Sequence, residues 1–277
     1  MITVDTHCHA GQNWFEPVEM LVHQMNLNSV DNAVLIQHGR PETGGFDHTY
    51  LFECVERFPG RFAVVVIVDL KLPNALQTLE EYASRGAVGV RLNPTQRSSG
   101  DDPLAIWRKA SELGLVVSLM GGREDTGSDE FKSLVGQLPD LPIVIEHLAG
   151  GGQGVAFPGS GEGPQPPYTA YKKALELADY PNTYIKVHGL GEISARPPVL
   201  PTKYDLDFFD FTPPLIEMAR DAFGPRRMMW GSDYPPVSQR EGYRNALRSV
   251  ADSPTFATQE DREWVVGKTA LSLFKFS

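Results

Sequence analysis

Eight short runs rich in β-branched and aliphatic residues recur along the 277-residue chain, and each is followed by a stretch of helical period. The runs are ITVDTH (2–7), AVLIQH (33–38), FAVVVIV (62–68), VGVRLN (88–93), LVVSLM (115–120), IVIEHL (143–148), TYIKVH (183–188) and MMWGSD (228–233). Helical periodicity covers Val18–Val30, Thr49–Phe58, Asn74–Arg85, Pro103–Leu113, Asp129–Leu138, Tyr168–Tyr180, Pro214–Phe223 and Arg240–Val250, with a last helix from Thr258 to Phe274. Several runs are apolar almost without a break, as parallel strands covered on both faces are. Strand and helix alternating eight times close into a (β/α)8 barrel, because right-handed crossovers set each strand beside the last and the closed sheet has no edge. A doubly wound open sheet is the competing topology. A single barrel commonly takes about 250 residues, and no linker divides the chain. The expected organisation is therefore one α/β domain over residues 1–277, a TIM barrel.

Charge and cysteine content narrow the partners. Lys plus Arg number 25 against 35 Asp plus Glu, a net charge of -10, and no basic run could track a phosphate backbone, so nucleic acid is not expected. No segment has enough consecutive apolar residues to span a bilayer, and the N-terminus lacks the pattern of a signal peptide. Cys8 and Cys54 give no disulfide framework. A cytoplasmic protein acting on a small molecule, with a homo-oligomer plausible, is the expectation.

In a barrel, chemistry gathers where the strands end and the βα loops converge. Asp5, His7 and His9 share one face of the first strand by period-two alternation, with His9 at its exit. Other strand exits carry Gln37 and His38, Arg91 and Asn93, Glu146 and His147, Lys186 and His188, and Asp233. A rim lined this way is costly to desolvate unless its groups pair or bind something. His38 and His48 read as ordinary hydrogen-bonded histidines and His23 as a surface or packing residue. Two imidazoles on one strand face, in contrast, make a metal-ligand pair or an electrophilic cleft. For Arg91 two roles compete: a planar fork gripping a substrate carboxylate or hydroxyl, or an ion pair stitching neighbouring loops.

DTHCHA at the start, VIEHLAG in the sixth run and WGSDYP in the eighth resemble the amidohydrolase superfamily, in its branch of amidohydrolase-related lactonases and decarboxylases. GVRLNP (89–94) and YIKVHGLGE (184–192) are similar to its pyrone-dicarboxylate lactonase and sugar-lactonase group. The resemblance runs from Asp5 to about Pro235 and implies the same barrel. It makes His7 and His9 the paired first-strand histidines, His147 the sixth-strand histidine and Asp233 the eighth-strand aspartate. Metal-dependent relatives carry a histidine or bridging lysine at the fifth or fourth strand end; here those places hold Met120 and Arg91, which argues against a binuclear centre. The resemblance leaves open a single divalent metal, zinc by its nitrogen-rich donors, on His7, His9 and Asp233, or catalysis with none. No organic cofactor is implied.

The reaction expected from this resemblance is the opening of a small lactone or related carboxylic ester. Asp233 acts as general base on water, and His7, His9 and His147 polarise the carbonyl directly or through the metal. Arg91, Lys186, His188 and Gln37 are the expected substrate contacts. His188 departs from the lactonase group, whose seventh strand reads lysine, small residue, serine, glycine. A metal-dependent decarboxylase or hydratase of a small unsaturated acid is the alternative, and a non-enzymatic binding barrel a third reading. Two loops are expected to set specificity: Ala149–Pro167, with seven glycines and four prolines, and Gly189–Pro213, with the run YDLDFFDF. GGGQG (150–154) is not a phosphate cradle, since no Lys-Ser or Lys-Thr follows it.

Overall fold

A computed structural model of the chain describes residues 1–11, 16–38, 46–150, 165–188, 190–193 and 213–276. Both expected specificity loops fall largely outside the described residues. The strands are β1 (Val4–Cys8), β2 (Asn32–Ile36), β3 (Phe62–Val66), β4 (Ala87–Leu92), β5 (Val116–Leu119), β6 (Ile143–Ile145), β7 (Thr183–Val187) and β8 (Met228–Trp230). They form one parallel sheet in sequential order β1 to β8. Helices follow the strands: α1 (Val18–Leu27), α2 (Thr49–Arg57), α3 (Ala75–Ser84), α4 (Ala105–Glu112), α5 (Asp129–Gln137), α6 (Thr169–Leu175), α7 (Leu215–Phe223) and α8 (Tyr243–Ala251). The last helical stretch runs through Gln259–Glu263, Trp264–Lys268 with π-type bonding, and Thr269–Leu273. Its start is fixed by a capping box between Thr258 and Asp261. The architecture is the (β/α)8 barrel that the alternation implied. Among the described residues no helix is long and apolar enough to cross a membrane.

The sheet closes between β1 and β8. His9 N–H donates to the Tyr234 carbonyl at 2.7 Å and Asp233 N–H to the His7 carbonyl at 2.8 Å. Thr6 Oγ1 donates to the Trp230 carbonyl at 2.6 Å. Asp5, fully buried, accepts from Ser232 N–H at 2.8 Å and His7 N–H at 3.2 Å. Its carboxylate thus serves the seam, although alternation had placed it with His7 and His9. The register between β1 and β2 shifts between Asp5 and Cys8. That shift lets Val4 join the interior apolar cluster while His7 and His9 both face the centre described below.

Alternate strand residues divide into two clusters. Ala33, Leu35, Val64, Val117, Ile143, Ile145, Ile185 and Trp230 pack with the helices. Val4, Val34, Ile36, Val65, Val116, Val144 and Met229 form the other, joined by Ala270 and Phe274 from the chain's last turns. On that second face three strands turn polar towards their exits: Val116 is followed by Ser118, Val144 by Glu146, and Met229 by Gly231 and Asp233. The apolar floor anchors the barrel and the polar tier above it holds the chemistry.

The expected sixth and eighth strands run longer than β6 and β8. His147 and Asp233 adopt φ of 50° and 57°, which takes them off the ladder, and Leu148 and Ala149 continue the left-handed turn at 48° and 53°. Helix α1 likewise stops at Leu27, where Asn28 caps it and Ser29 takes φ of 55°.

Gly231 is required by close approach. A Cβ there would lie 2.7 Å from the His7 Cβ and 3.1 Å from its backbone nitrogen. Gly231→Ala is expected to lose about 1–3 kcal/mol of stability through overpacking, with a fall in activity as His7 is displaced; urea unfolding and an activity assay check both. His48, beside α2, accepts the Ile67 N–H on Nε2 at 2.9 Å, which ties the β2 loop to the end of β3. Burial lowers its imidazole to about 4, against the upward pull of the Phe46 backbone and Asp47. Because the folded pKa lies below the unfolded one, the stabilisation is complete above about 6.5 and is lost as pH falls towards 4. The stability gap between wild type and His48→Gln should therefore narrow by about 3 kcal/mol over that interval, measured by unfolding at successive pH values.

Candidate active site

Six of the eight residues that sequence singled out meet at the polar end of the barrel. The His7 ring lies 4.9 Å from that of His9, 4.8 Å from His147 and 4.8 Å from His188, centroid to centroid. His147 and His188 stack at 3.9 Å with 6° between their planes. Asp233 Oδ1 faces Nε2 of His9 at 3.4 Å and Nε2 of His7 at 3.7 Å. Lys186 Nζ lies 3.5 Å from His7 Nδ1 on the other side of that ring. His38 stands edge-on to His9, with centroids 5.8 Å apart.

Hydrogen bonds fix the orientation of the rings. His9 Nδ1 lies 2.8 Å from the Ile36 carbonyl, which can only accept, so Nδ1 carries a proton and Nε2 is the nitrogen that faces Asp233. His147 Nδ1 donates to the Glu192 carboxylate at 3.0 and 3.1 Å, which leaves Nε2 facing the centre. Burial pushes the His147 pKa down, but Glu192 and Asp233 outweigh it and raise it above the ordinary value. Burial pulls His7 well below its usual value and the Lys186 cation adds to this; His188 is lowered well below by burial and then by His147. The centre therefore combines neutral imidazoles with one proton-holding imidazole.

Beneath His7 lies a second buried network. Arg91 donates through Nε and Nη2 to both oxygens of Glu146, the closest contact being 2.7 Å. Ser118 Oγ donates to Glu146 Oε1 at 2.5 Å and accepts from Lys186 Nζ at 2.9 Å. Burial alone would raise the Glu146 carboxyl; Arg91 and Lys186 reverse this and hold it well below the usual carboxylate range. Burial brings the Lys186 amine down to about 8. Both roles weighed for Arg91 bear on this geometry: most of its fork is committed to an ion pair with Glu146 at the end of β6, two strands along the sheet from β4. Gln37, the remaining expected contact, is buried and bonds within its own loop, donating to the Asp47 carbonyl at 2.5 Å and accepting from His38 N–H at 2.9 Å.

Four acidic or basic groups of the site carry no role in the sequence reading. Glu146 stood at a strand exit without one, although a glutamate inside an apolar strand run is itself a legible signal. Glu192 follows β7 in a segment with no periodicity to mark it, while Arg240 and Glu241 open the stretch read as helical from Arg240 and instead lie in the turn before α8, which begins at Tyr243. Arg240 Nη1 donates to Glu192 Oε1 at 3.0 Å and Asp233 Oδ2 at 3.1 Å, while Nε lies 3.7 Å from Glu241 Oε2. Desolvation raises Glu241 to about 7. Met120, where a fifth-strand histidine would stand, is 42% exposed.

A divalent cation fits the donor set. His7, His9 and Asp233 offer one atom each, all within 4.8 Å of one another. His7 Nε2 is buried with no hydrogen-bond partner among the described residues. His9 Nε2 and Asp233 Oδ1 face each other at 3.4 Å beside it, a nitrogen and an oxygen donor of the kinds a divalent ion takes. His7, His147 and His188 also offer one atom each within 4.8 Å, but the parallel stacked rings of His147 and His188 direct their in-plane nitrogens along separate planes, which suits one ion poorly.

Comparison with known proteins bears on the fold and the family. A search of curated proteins finds no match. A protein from Acinetobacter baumannii named a probable 2-pyrone-4,6-dicarboxylic acid hydrolase, with citric acid bound, aligns with TM-score 0.70 at 19% identity over 100% of both chains. An amidohydrolase from Burkholderia multivorans with bound zinc aligns with TM-score 0.72 at 18% identity, again over 100% of both. The 5-carboxyvanillate decarboxylase of Sphingomonas paucimobilis aligns with TM-score 0.62 at 14% identity, over 100% of this chain and 99% of the other. These likenesses show the same barrel. The amidohydrolase family model matches residues 4–276, nearly the whole chain, and the protein belongs to that family of hydrolytic enzymes.

Proposed function

We propose that the protein opens a small lactone or a related carboxylic ester by attack of water, with Asp233 as general base. The observation that carries this reading is the division of labour on one carboxylate. Arg240 holds Asp233 Oδ2, and Oδ1 is left facing the two first-strand imidazoles. A water bonded to Oδ1 loses its proton to Asp233 as its oxygen attacks the carbonyl carbon. His147, held by Glu192, donates from Nε2 to the carbonyl oxygen as that oxygen gains charge, a contribution of about a hundred- to thousandfold in rate for one such donor. The tetrahedral species then collapses, the ring C–O bond breaks, and the departing alkoxide takes the proton back from Asp233.

His7, His9 and Asp233 would hold one divalent ion, zinc by donor type. When bound, such an ion supplies Lewis-acid polarisation of the carbonyl and makes water more acidic. The neutral state of His7 suits either part, as ligand or as hydrogen-bonding wall. Arg91 keeps Nη1 outside its pairing with Glu146, and we assign that nitrogen, with His188 and Gln37, to substrate oxygens. Lys186, spent on Ser118, supports His7 from below. The alternative, decarboxylation or hydration of a small unsaturated acid, would use the same His7, His9 and Asp233, and in the relatives it resembles it leans on a fifth-strand histidine. No histidine stands at that strand end here.

A screen of lactones by proton release at neutral pH is expected to find turnover; carbon dioxide release from unsaturated acids, with every lactone inert, would replace this reading by the alternative. Asp233→Asn should lower kcat by about 10²- to 10⁴-fold while binding of the ring-opened acid, followed by calorimetry, persists. Zinc analysis of protein purified without chelator, then turnover before and after metal removal, decides whether the ion is needed.

A further inference from the structure

Beside the set His7, His9 and Asp233 lies a second set of donors able to hold a metal. His147, Glu192 and Asp233 each offer one atom, all within 4.8 Å of one another, and Asp233 belongs to both sets. Geometry alone would allow two ions bridged by one aspartate. A side chain already stands in the second place. Arg240 Nη1 lies 3.0 Å from Glu192 Oε1 and 3.1 Å from Asp233 Oδ2, hydrogen-bonded to both carboxylates of that second set. A third carboxylate, Glu241, faces the same guanidinium at 3.7 Å from Nε.

Electrostatics gives this contact its meaning. Two carboxylates brought this close in a buried rim repel each other and need a positive group between them. A guanidinium supplies that charge permanently, since it does not lose its proton, and its planar fork suits carboxylate geometry. The Oδ1 side of Asp233, turned to His7 and His9, is untouched by Arg240. We infer that Arg240 is a built-in second cation: its Nη1 takes the place between Asp233 and Glu192 that a second divalent ion would need, so the centre accepts one ion on His7, His9 and Asp233 and no more. Arg240 is a positioning residue, acting on the reaction through Asp233 and, by way of Glu192, through His147. The absence of a fifth-strand histidine or fourth-strand lysine from the sequence is one side of this design, and the arginine is the other.

The inference extends the one-ion reading of the centre, and its test reads the difference in bound metal between proteins rather than activity. Full-length wild type, Arg240→Met, Arg240→Gln and Arg240→Lys are dialysed against buffered zinc and the bound zinc per chain is measured, with thermal melting to establish folding. Arg240→Met and Arg240→Gln are expected to hold one zinc more than wild type. Arg240→Lys, which keeps a cation, should match wild type, and adding Glu192→Gln to Arg240→Met should abolish the extra ion. An unchanged zinc count in a cooperatively melting neutral variant, or two ions in wild type, would overturn the inference. If neither neutral variant folds, the wild-type count decides: saturation at one ion in excess zinc supports it, and two ions end it. Wild type without zinc would sink the one-ion reading instead, and the increment on neutralising Arg240 would still judge the second place.

Discussion

The backbone seam between β1 and β8 is the constraint from which the rest of the centre follows. Two hydrogen bonds, from Asp233 N–H to His7 and from His9 N–H to Tyr234, join the first strand to the last across more than two hundred residues of chain. They close the barrel and also set the distance between the histidine pair and the aspartate. Asp5 reinforces the seam by accepting from the backbone on both sides, which explains a carboxylate buried at the base of a functional strand. Stability and chemistry thus depend on one contact line, and Gly231 gives that line the clearance it needs beside His7.

Charge burial is the second organising force. A buried ion pair seldom adds much net stability, because desolvation offsets the attraction, yet breaking one by removing a partner costs about 3–5 kcal/mol. The pairs Arg91 with Glu146 and Arg240 with Asp233 and Glu192 therefore read as devices that hold geometry. The lower network, through Ser118 and Lys186, presses on the Nδ1 side of His7; the upper one holds Asp233 and His147 from the loop side. His7 lies between them, with Nε2 turned to the reaction centre. Strain also reaches the same places. His147 and Asp233 sit in the left-handed region that costs a non-glycine residue roughly 1–2 kcal/mol, and residues so held recur where structure serves function.

Much of this was legible in the chain. The eightfold alternation of strand and helix periods determined the barrel, since each local pattern permits few partners and a closed parallel sheet satisfies them all. Polar residues at the strand exits marked the rim, and the pair His7 and His9 marked its centre. Period-two alternation also placed Lys186 and His188 on the inward face, where both are found buried. What determined these features is local: periodicity and strand position are properties of a few consecutive residues.

Tertiary structure alone decided which charges pair. Nothing near Arg91 in sequence points to Glu146, 55 residues away, nor does anything near His147 point to Glu192, 45 residues on. Glu192 lies in a segment without period and Arg240 at the edge of one read as helix, and their meeting at Asp233 depends on how the chain after β7 and β8 returns to the rim. The protonation preferences follow from the same source, because burial and neighbouring charge exist only once the barrel has closed. Sequence specified the elements and the kinds of side chain at their ends; closure brought residues from opposite ends of the chain into one desolvated volume, and there the pairing became a matter of distance.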